Sequence, residues 1–318
     1  MRRALIVGIN HYTNAPLKGC IKDAEKMNTV LATNADGSPN FDCKLLVSSE
    51  GAKYPITIPK LKKHIHTLFN QEAAIAVLYF SGHGASTEVG SYLVTQDAHK
   101  YNEGVSLQEI INMANNSKVK EAIIMLDACY SGHMGNLIEF GNRKVVLREG
   151  VSILTASRDT QFAVERNGSG LFTSIIYEAM NGGASDILGN ITVAGTYYFA
   201  DQLLNSWEQR PIFKTHVSKM TPLRYCPPKV PLQVLRKLTL YFEQKGEALQ
   251  LSPLYEESME PRNEVFEQIM SHLRLFHTNG LLTPVGTLFM YDAAKDNKTC
   301  KLTTLGKFYW DLVYKKQL

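Results

Sequence analysis

No run of about 18 consecutive apolar residues, the length a membrane helix needs, occurs in the 318-residue chain, so no transmembrane segment is expected. Met1-Arg2-Arg3 leads straight into a strand-like run where a signal peptide would have its apolar core, and the expected location is cytoplasmic. Cysteine is scarce. Its five residues, Cys20, Cys43, Cys129, Cys226 and Cys300, are odd in number and without a close pair, which excludes a zinc ribbon and suits a reducing compartment. The charge imbalance is small as well: 34 Lys and Arg against 30 Asp and Glu leave a formal +4, too little to imply nucleic-acid binding without a clustered patch. What the chain does have is 44% hydrophobic residues, enough for one large core and a smaller one.

Two apolar runs end in residues that carry chemistry. Ala74-Ile75-Ala76-Val77-Leu78 precedes Tyr79-Phe80-Ser81-Gly82-His83-Gly84, and Ala122-Ile123-Ile124-Met125 precedes Leu126-Asp127-Ala128-Cys129-Tyr130-Ser131-Gly132. Runs this short and this apolar suit parallel strands buried on both faces. Ligands of open α/β sheets bind at the carboxyl ends of strands, so His83 and Cys129 are expected to meet at one rim. An imidazole beside a thiol lowers the thiol pKa and later protonates a leaving amine, which makes the pair a candidate nucleophile and base. His133, closer in sequence to Cys129, is the rival base. Small flanking residues admit a substrate backbone, and the main-chain N–H groups of Gly84 and Cys129 are the expected oxyanion donors. Asp23 and Asp127 fall near the same rim, and alternation puts Asp127 on the same side of its strand as Cys129. Two carboxylates in a cleft ask for a cation.

The pattern around these motifs predicts α/β alternation. Strands are expected at 4–9, 44–48, 91–94, 151–156 and 212–217, besides the two that lead to His83 and Cys129. Helices are expected at 17–32, 59–70, 106–115, 171–180 and 193–207, with Pro59 opening the second and Ser106 with Glu109 forming a capping box on the third. Six main strands with interleaved helices make a three-layer α/β sandwich with a mostly parallel sheet. A stiff proline-rich connector, Cys226-Pro227-Pro228-Lys229-Val230-Pro231, divides a domain at 1–226 from one at 227–318. The second reads as helices at 232–244 and 263–278, a β-hairpin of 287–291 with 299–303, and a closing helix at 305–314. Helices followed by a two-stranded wing resemble a small winged-helix module; its 12 Lys and Arg against 10 Asp and Glu from 229 to 318 make DNA an unexpected partner.

Order and spacing of the two motifs point to a family. His83 lies 46 residues before Cys129, and caspases place the catalytic His about 50 residues upstream of their cysteine. The chain resembles the caspase-like cysteine peptidases, and within them the metacaspase and bacterial caspase-like branch. Leu5-Ile6-Val7-Gly8-Ile9-Asn10, Leu17-Lys18-Gly19-Cys20-Ile21-Lys22-Asp23-Ala24, Gly170-Leu171-Phe172-Thr173 and Gln209-Arg210-Pro211 carry the resemblance over roughly residues 1 to 220. In metacaspases the positions matching Cys20, Asp23, Ser81 and Asp127 line the pocket that accepts arginine or lysine before the cut bond. Caspases proper hold aspartate there with arginines, and their Gln is replaced here by Asp127.

The resemblance implies more. An intersubunit loop is often cut on activation, so Arg143, Lys144 and Arg148 are candidate processing sites, beside an ordinary-loop reading of the same segment. Many metacaspases need calcium, but 85–101 holds only Glu88 and Asp97 as acids, so neither calcium nor another cofactor is expected. The expected partners are a protein substrate and, through the C-terminal module, an activating protease or regulator. Such relatives often serve regulated cell death or defence against phage. A second reading makes the winged-helix-like module the effector, acting on DNA or a partner, with the peptidase fold as its switch.

Overall fold

The computed structural model describes residues 1–51, 53–87, 89–130, 146–156, 165–166, 169–204, 211–258 and 260–318, with Cys129, Tyr130, Glu165, Arg166 and Ser169 described by backbone alone. Expectations that fell on His133, Arg143, Lys144, Trp207, Gln209 and Arg210 lie outside the described residues. The chain divides into two units, Met1–Ser185 with Asn190–Cys226, and Asp186–Gly189 with Pro227–Leu318.

In the first unit the chain order is β1 (Arg2–Ile9), α1 (Cys20–Ala32), β2 (Asp42–Ser48), α2 (Ile58–Asn70), β3 (Ile75–Thr87), β4 (Gly90–Leu93), β5 (Val105–Ser106), α3 (Leu107–Asn115), β6 (Glu121–Tyr130) and β7 (Val151–Thr155). The short strands β8 (Glu165–Arg166), β9 (Ser169–Gly170) and β10 (Asn190–Ile191), the helices α4 (Leu171–Glu178) and α5 (Val193–Leu203), then β11 (Ile212–His216) and β12 (Arg224–Tyr225) complete it. The main sheet runs β11-β7-β6-β3-β1-β2, with β4 and β5 folded back beside β3. Its pairs are parallel except β11 on β7 and the β3-β4-β5 returns.

Both faces of this sheet are covered, which is why its central strands read as unbroken apolar runs. Leu5, Val7, Leu78, Phe80, Ile124 and Leu126 face one core with Leu61, Ile65 and Phe69 of α2 and Ile110 of α3. Ala4, Ile6, Val77, Tyr79, Ile123 and Met125 face the other with Ala24, Met27 and Leu31 of α1, Ile176 of α4 and Ala200 of α5. Burial of each large apolar side chain contributes about 2 kcal/mol, so a slip of one residue in β3 would exchange two packed faces at heavy cost. Gly8 lets α1 lie close against β1: a Cβ there would run into the Cys20 carbonyl and come within 2.8 Å of the Ala24 side chain. That approach carries the first turn of α1 to the rim of the sheet. One local expectation fails here. Ser106 stands at the N-cap of α3 but its side chain caps nothing, and Glu109, the other half of the expected box, pairs with Lys62 of α2 at 2.7 Å.

The second unit holds α6 (Leu232–Leu235), α7 (Leu238–Tyr241), β13 (Ala248–Gln250), α8 (Glu264–Thr278), β14 (Leu282–Pro284), α9 (Met290–Lys295), β15 (Thr299–Leu302) and α10 (Thr304–Tyr314). The helix expected over 232–244 is broken into α6 and α7, and the Phe242 carbonyl beyond them accepts from Trp310 Nε1 at 2.7 Å. The expected hairpin is also replaced. Thr299–Leu302 pairs with Leu282–Pro284 and Ala248–Gln250, not with 287–291, in an antiparallel sheet of order β13-β15-β14. Met290, Ala293 and Ala294 are buried at helical spacing, and burying those three favours a helix where a strand was expected at 287–291. Asn263 caps α8 by accepting from the N–H groups of Val265 and Phe266, both at 3.2 Å. Arg274 pairs there with the buried Glu256 at 2.6 Å.

Candidate active site

The ladder between β3 and β6 runs past the ends of both apolar runs. Ser81 stands opposite Asp127, and His83 opposite Cys129, in one unbroken parallel register. Strands about 4.8 Å apart thus hold the two motifs side by side. Gly84, the expected oxyanion donor, follows in the same ladder opposite Tyr130, and pairs with Leu93 of β4 on its other side.

His83 is held by the loop between β1 and α1. Its Nε2 lies 2.7 Å from the Ala15 carbonyl oxygen, and a carbonyl only accepts, so the neutral ring carries its proton on Nε2. Nδ1 is then the basic nitrogen. It is buried and has no hydrogen-bond partner among the described residues, which leaves it for the reacting group. Tyr12 packs its ring on the imidazole at 4.6 Å between centroids. The Tyr12 hydroxyl accepts from the His83 N–H at 3.1 Å and donates to the Val94 carbonyl at 3.3 Å. Burial holds the Tyr12 phenol well above its ordinary pKa, so it stays protonated. Gly82 is required beneath it, since a Cβ there would come within 2.5 Å of the Tyr12 oxygen.

Asn10 shapes the loop. Its main-chain carbonyl accepts from Leu17 N–H at 2.7 Å, its side-chain carbonyl accepts from Ile21 N–H at 3.1 Å, and its amide donates to the Lys18 carbonyl at 3.0 Å. A side-chain oxygen satisfying a first-turn N–H of α1 does the work of an N-cap from the end of β1. Tyr12→Phe is expected to leave the His83 N–H unsatisfied and lower stability by about 1–2 kcal/mol, read as a lower urea midpoint with unchanged slope.

Below the imidazole lie the two carboxylates. Asp23, on the first turn of α1, is 2% exposed and accepts from the Gly170 N–H at 3.1 Å and from the Ser81 hydroxyl at 3.5 Å. Asp127 accepts at one oxygen, Oδ2, from the Thr173 hydroxyl at 2.5 Å and the Thr173 N–H at 3.3 Å. Gly170 separates the acids: a Cβ on it would lie 2.6 Å from Asp127 Oδ2 and 3.3 Å from Asp23 Oδ2. Burial, with a smaller push from the charge of Asp23 and against the Thr173 hydrogen bonds, raises the Asp127 carboxyl to about 6. Cys20, also on α1, is buried. The four residues expected to line a cation pocket therefore come from three elements at the end of the sheet that holds His83. Among the described residues no group of three or more His, Cys, Asp and Glu could hold a metal ion, and no helix is long and apolar enough to cross a membrane.

A family model for the caspase domain matches residues 1–220. The chain belongs to the caspase family of cysteine peptidases. This caspase domain resembles the solved structure of protein GSU0716 from Geobacter sulfurreducens, with TM-score 0.52 and 18% identity over 71% of this chain and 97% of that one. It resembles caspase-1 from Spodoptera frugiperda similarly, with TM-score 0.51 and 13% identity over 71% of this chain and 92% of that one. No curated protein sequence matches. The structure also sets against the candidate residues several that residue patterns gave no role: Tyr12 and Ala15 against His83, Gly170 against Asp23, Thr173 against Asp127, and Tyr79 against Thr173. Ala15 acts through its backbone, which no side-chain motif announces, whereas Gly170 and Thr173 sit inside a quoted motif without a role until the acids are seen against them.

Proposed function

We propose that this caspase domain is an endopeptidase that cuts protein chains after arginine or lysine, with Cys129 as nucleophile and His83 as base and acid. The supporting observation is the carboxylate pair of Asp23, from α1, and Asp127, closed around Gly170, with Asp127 two residues before Cys129 in the ladder that sets Cys129 opposite His83. His83 Nδ1 takes the thiol proton, and the thiolate sulfur attacks the carbonyl carbon of the scissile peptide. The N–H groups of Gly84 and Cys129 hold the resulting oxyanion, and the imidazolium returns the proton to the amine as the C–N bond breaks. Water, deprotonated by the same nitrogen, then cleaves the thioester and frees the acid. The chemistry needs no cofactor.

Purified wild type and Cys129→Ala, tested on matched fluorogenic peptides ending in Arg, Lys or Asp, decide the reading. Cleavage after Arg or Lys by wild type alone is the expected result, and cleavage after Asp would overturn the pocket. Mass spectrometry of the same two proteins tests self-processing. Of the three candidate sites, Arg148 is tied down: its guanidinium donates to the carbonyls of Ala114, Val119 and Glu149 and to the Ser117 hydroxyl. Cutting there would first require those bonds to open, so Arg143 and Lys144 are the sites we propose. The second unit, in this reading, controls when or where the peptidase cuts.

A further inference from the structure

Thr173 has two donors and spends both on one atom. Its hydroxyl and its N–H reach Asp127 Oδ2, while Oδ1 accepts no hydrogen bond among the described residues. The Thr173 hydroxyl in turn receives the phenol of Tyr79, at 2.5 Å, and both residues are 0% exposed. Because the Thr proton points at the carboxylate, the Tyr79 proton points at Thr173, and a single chain of donors runs from β3 through the first turn of α4 to the acid. The other groups against this acid are Asp23 from α1, a like charge, and Gly170, which has no side chain to offer.

We propose that Thr173, braced by Tyr79, is the positioning residue of the specificity pocket: it binds Oδ2 of Asp127 so that the carboxylate stays ionised and presents Oδ1 to the basic side chain of the substrate. The inference rests on the Arg/Lys reading above for its substrate and on the hydrogen bonds for its mechanism. Thr173 lies at the start of an eight-residue helix, where N–H groups favour an anion. Loss of the hydroxyl removes the donor that most opposes protonation of a buried acid beside another acid. Tyr79 has its own reason to stay neutral: burial and the nearby charges of Asp127 and Asp23 hold its phenol far above the ordinary value.

Thr173→Val keeps the shape and removes the hydroxyl, Thr173→Ser keeps the hydroxyl, and Tyr79→Phe removes the brace alone. The expected result for Thr173→Val is an acid limb of kcat/KM moved upward by about one pH unit, so that KM for Arg-ended peptides rises at least about 2-fold at pH 7 and about 10-fold at pH 5, with kcat nearly unchanged. Thr173→Ser should restore both, and Tyr79→Phe should shift both part of the way. A Thr173→Val protein with wild-type KM and acid limb overturns the proposal, as does failure of Thr173→Ser to restore them. Carboxyl-carbon NMR titration of Asp127, in wild type and Thr173→Val without substrate, separates the two readings. If wild type cuts nothing after Arg or Lys, the pocket reading falls, yet an upward shift of the Asp127 titration in Thr173→Val still upholds the positioning role and an unmoved one overturns it.

Discussion

Alanine at Cys129 is expected to remove peptide cleavage, lowering kcat/KM by ~10⁴-fold or more, and alanine at His83 to lower it by ~10³-fold or more. The two losses should not add, because each residue is useless without the other: an imidazole without a nucleophile activates nothing, and an unassisted thiol near pH 7 is mostly protonated. A labelling experiment that needs no substrate checks the same assignment. Burial pushes the Cys43 thiol up to about 11 and the Cys300 thiol up to about 12, and it raises Cys226 as well. At pH 7 a thiol with a pKa near 11 is thiolate in only about one molecule in ten thousand. Iodoacetamide should therefore mark Cys129 first in wild type, as read by peptide mass spectrometry, and mark it markedly more slowly in His83→Ala. Equal rates at Cys129 and Cys226, or no slowing without His83, would remove His83 from the role of base.

The geometry behind that prediction was partly legible in residues 75–84 and 122–132. Continuous apolar runs reveal strands buried on both faces, and small residues after them reveal a rim that a ligand can approach. Those signals are local, so they survive reading one residue at a time. The hydrogen bond from His83 to the Ala15 carbonyl is not local. It depends on a ten-residue loop that Asn10 folds back over the sheet, and nothing in the composition of 10–19 marks a main-chain oxygen as the partner of an imidazole 68 positions away. Thr173 was hidden differently. A threonine just inside a helix is common, and only the fold shows that its two donors meet a carboxylate from another strand. In the second unit the hairpin expected from 287–291 fails because Met290, Ala293 and Ala294 pack inward at helical spacing, a feature of tertiary burial in a segment too short for its pattern to decide.

Asp127→Asn is expected to make the domain more stable at neutral pH while stripping it of cleavage after Arg and Lys. The carboxyl titrates near 6 when folded against an ordinary value of 3.8, so the folded state favours its protonated form. A folded pKa above the unfolded one gives a contribution that is present in full below about pH 4 and is lost as pH rises through about 6. The full shift would be worth about 3 kcal/mol, and Asp127 keeps partial contact with solvent, so about 2 kcal/mol is the figure to expect at pH 7. Asparagine keeps the shape, and its amide oxygen still accepts from Thr173, but it carries no charge to bury. Thermal melts should therefore show the variant above wild type by roughly 5 °C at pH 7 and level with it near pH 4. Against Arg- and Lys-ended peptides kcat/KM should fall about 10²- to 10³-fold, the loss that follows when a buried cation is left with one acid in place of two. A basic substrate side chain would restore to wild type what burial takes away, since a cation at Oδ1 favours the ionised acid and lowers its pKa. On the Arg/Lys reading, Asp127 would thus be held at a cost to the empty enzyme that substrate removes. A variant less stable than wild type at pH 7 would mean that Asp127 serves the fold more than the pocket, and unimpaired cleavage after Arg would place the cation elsewhere.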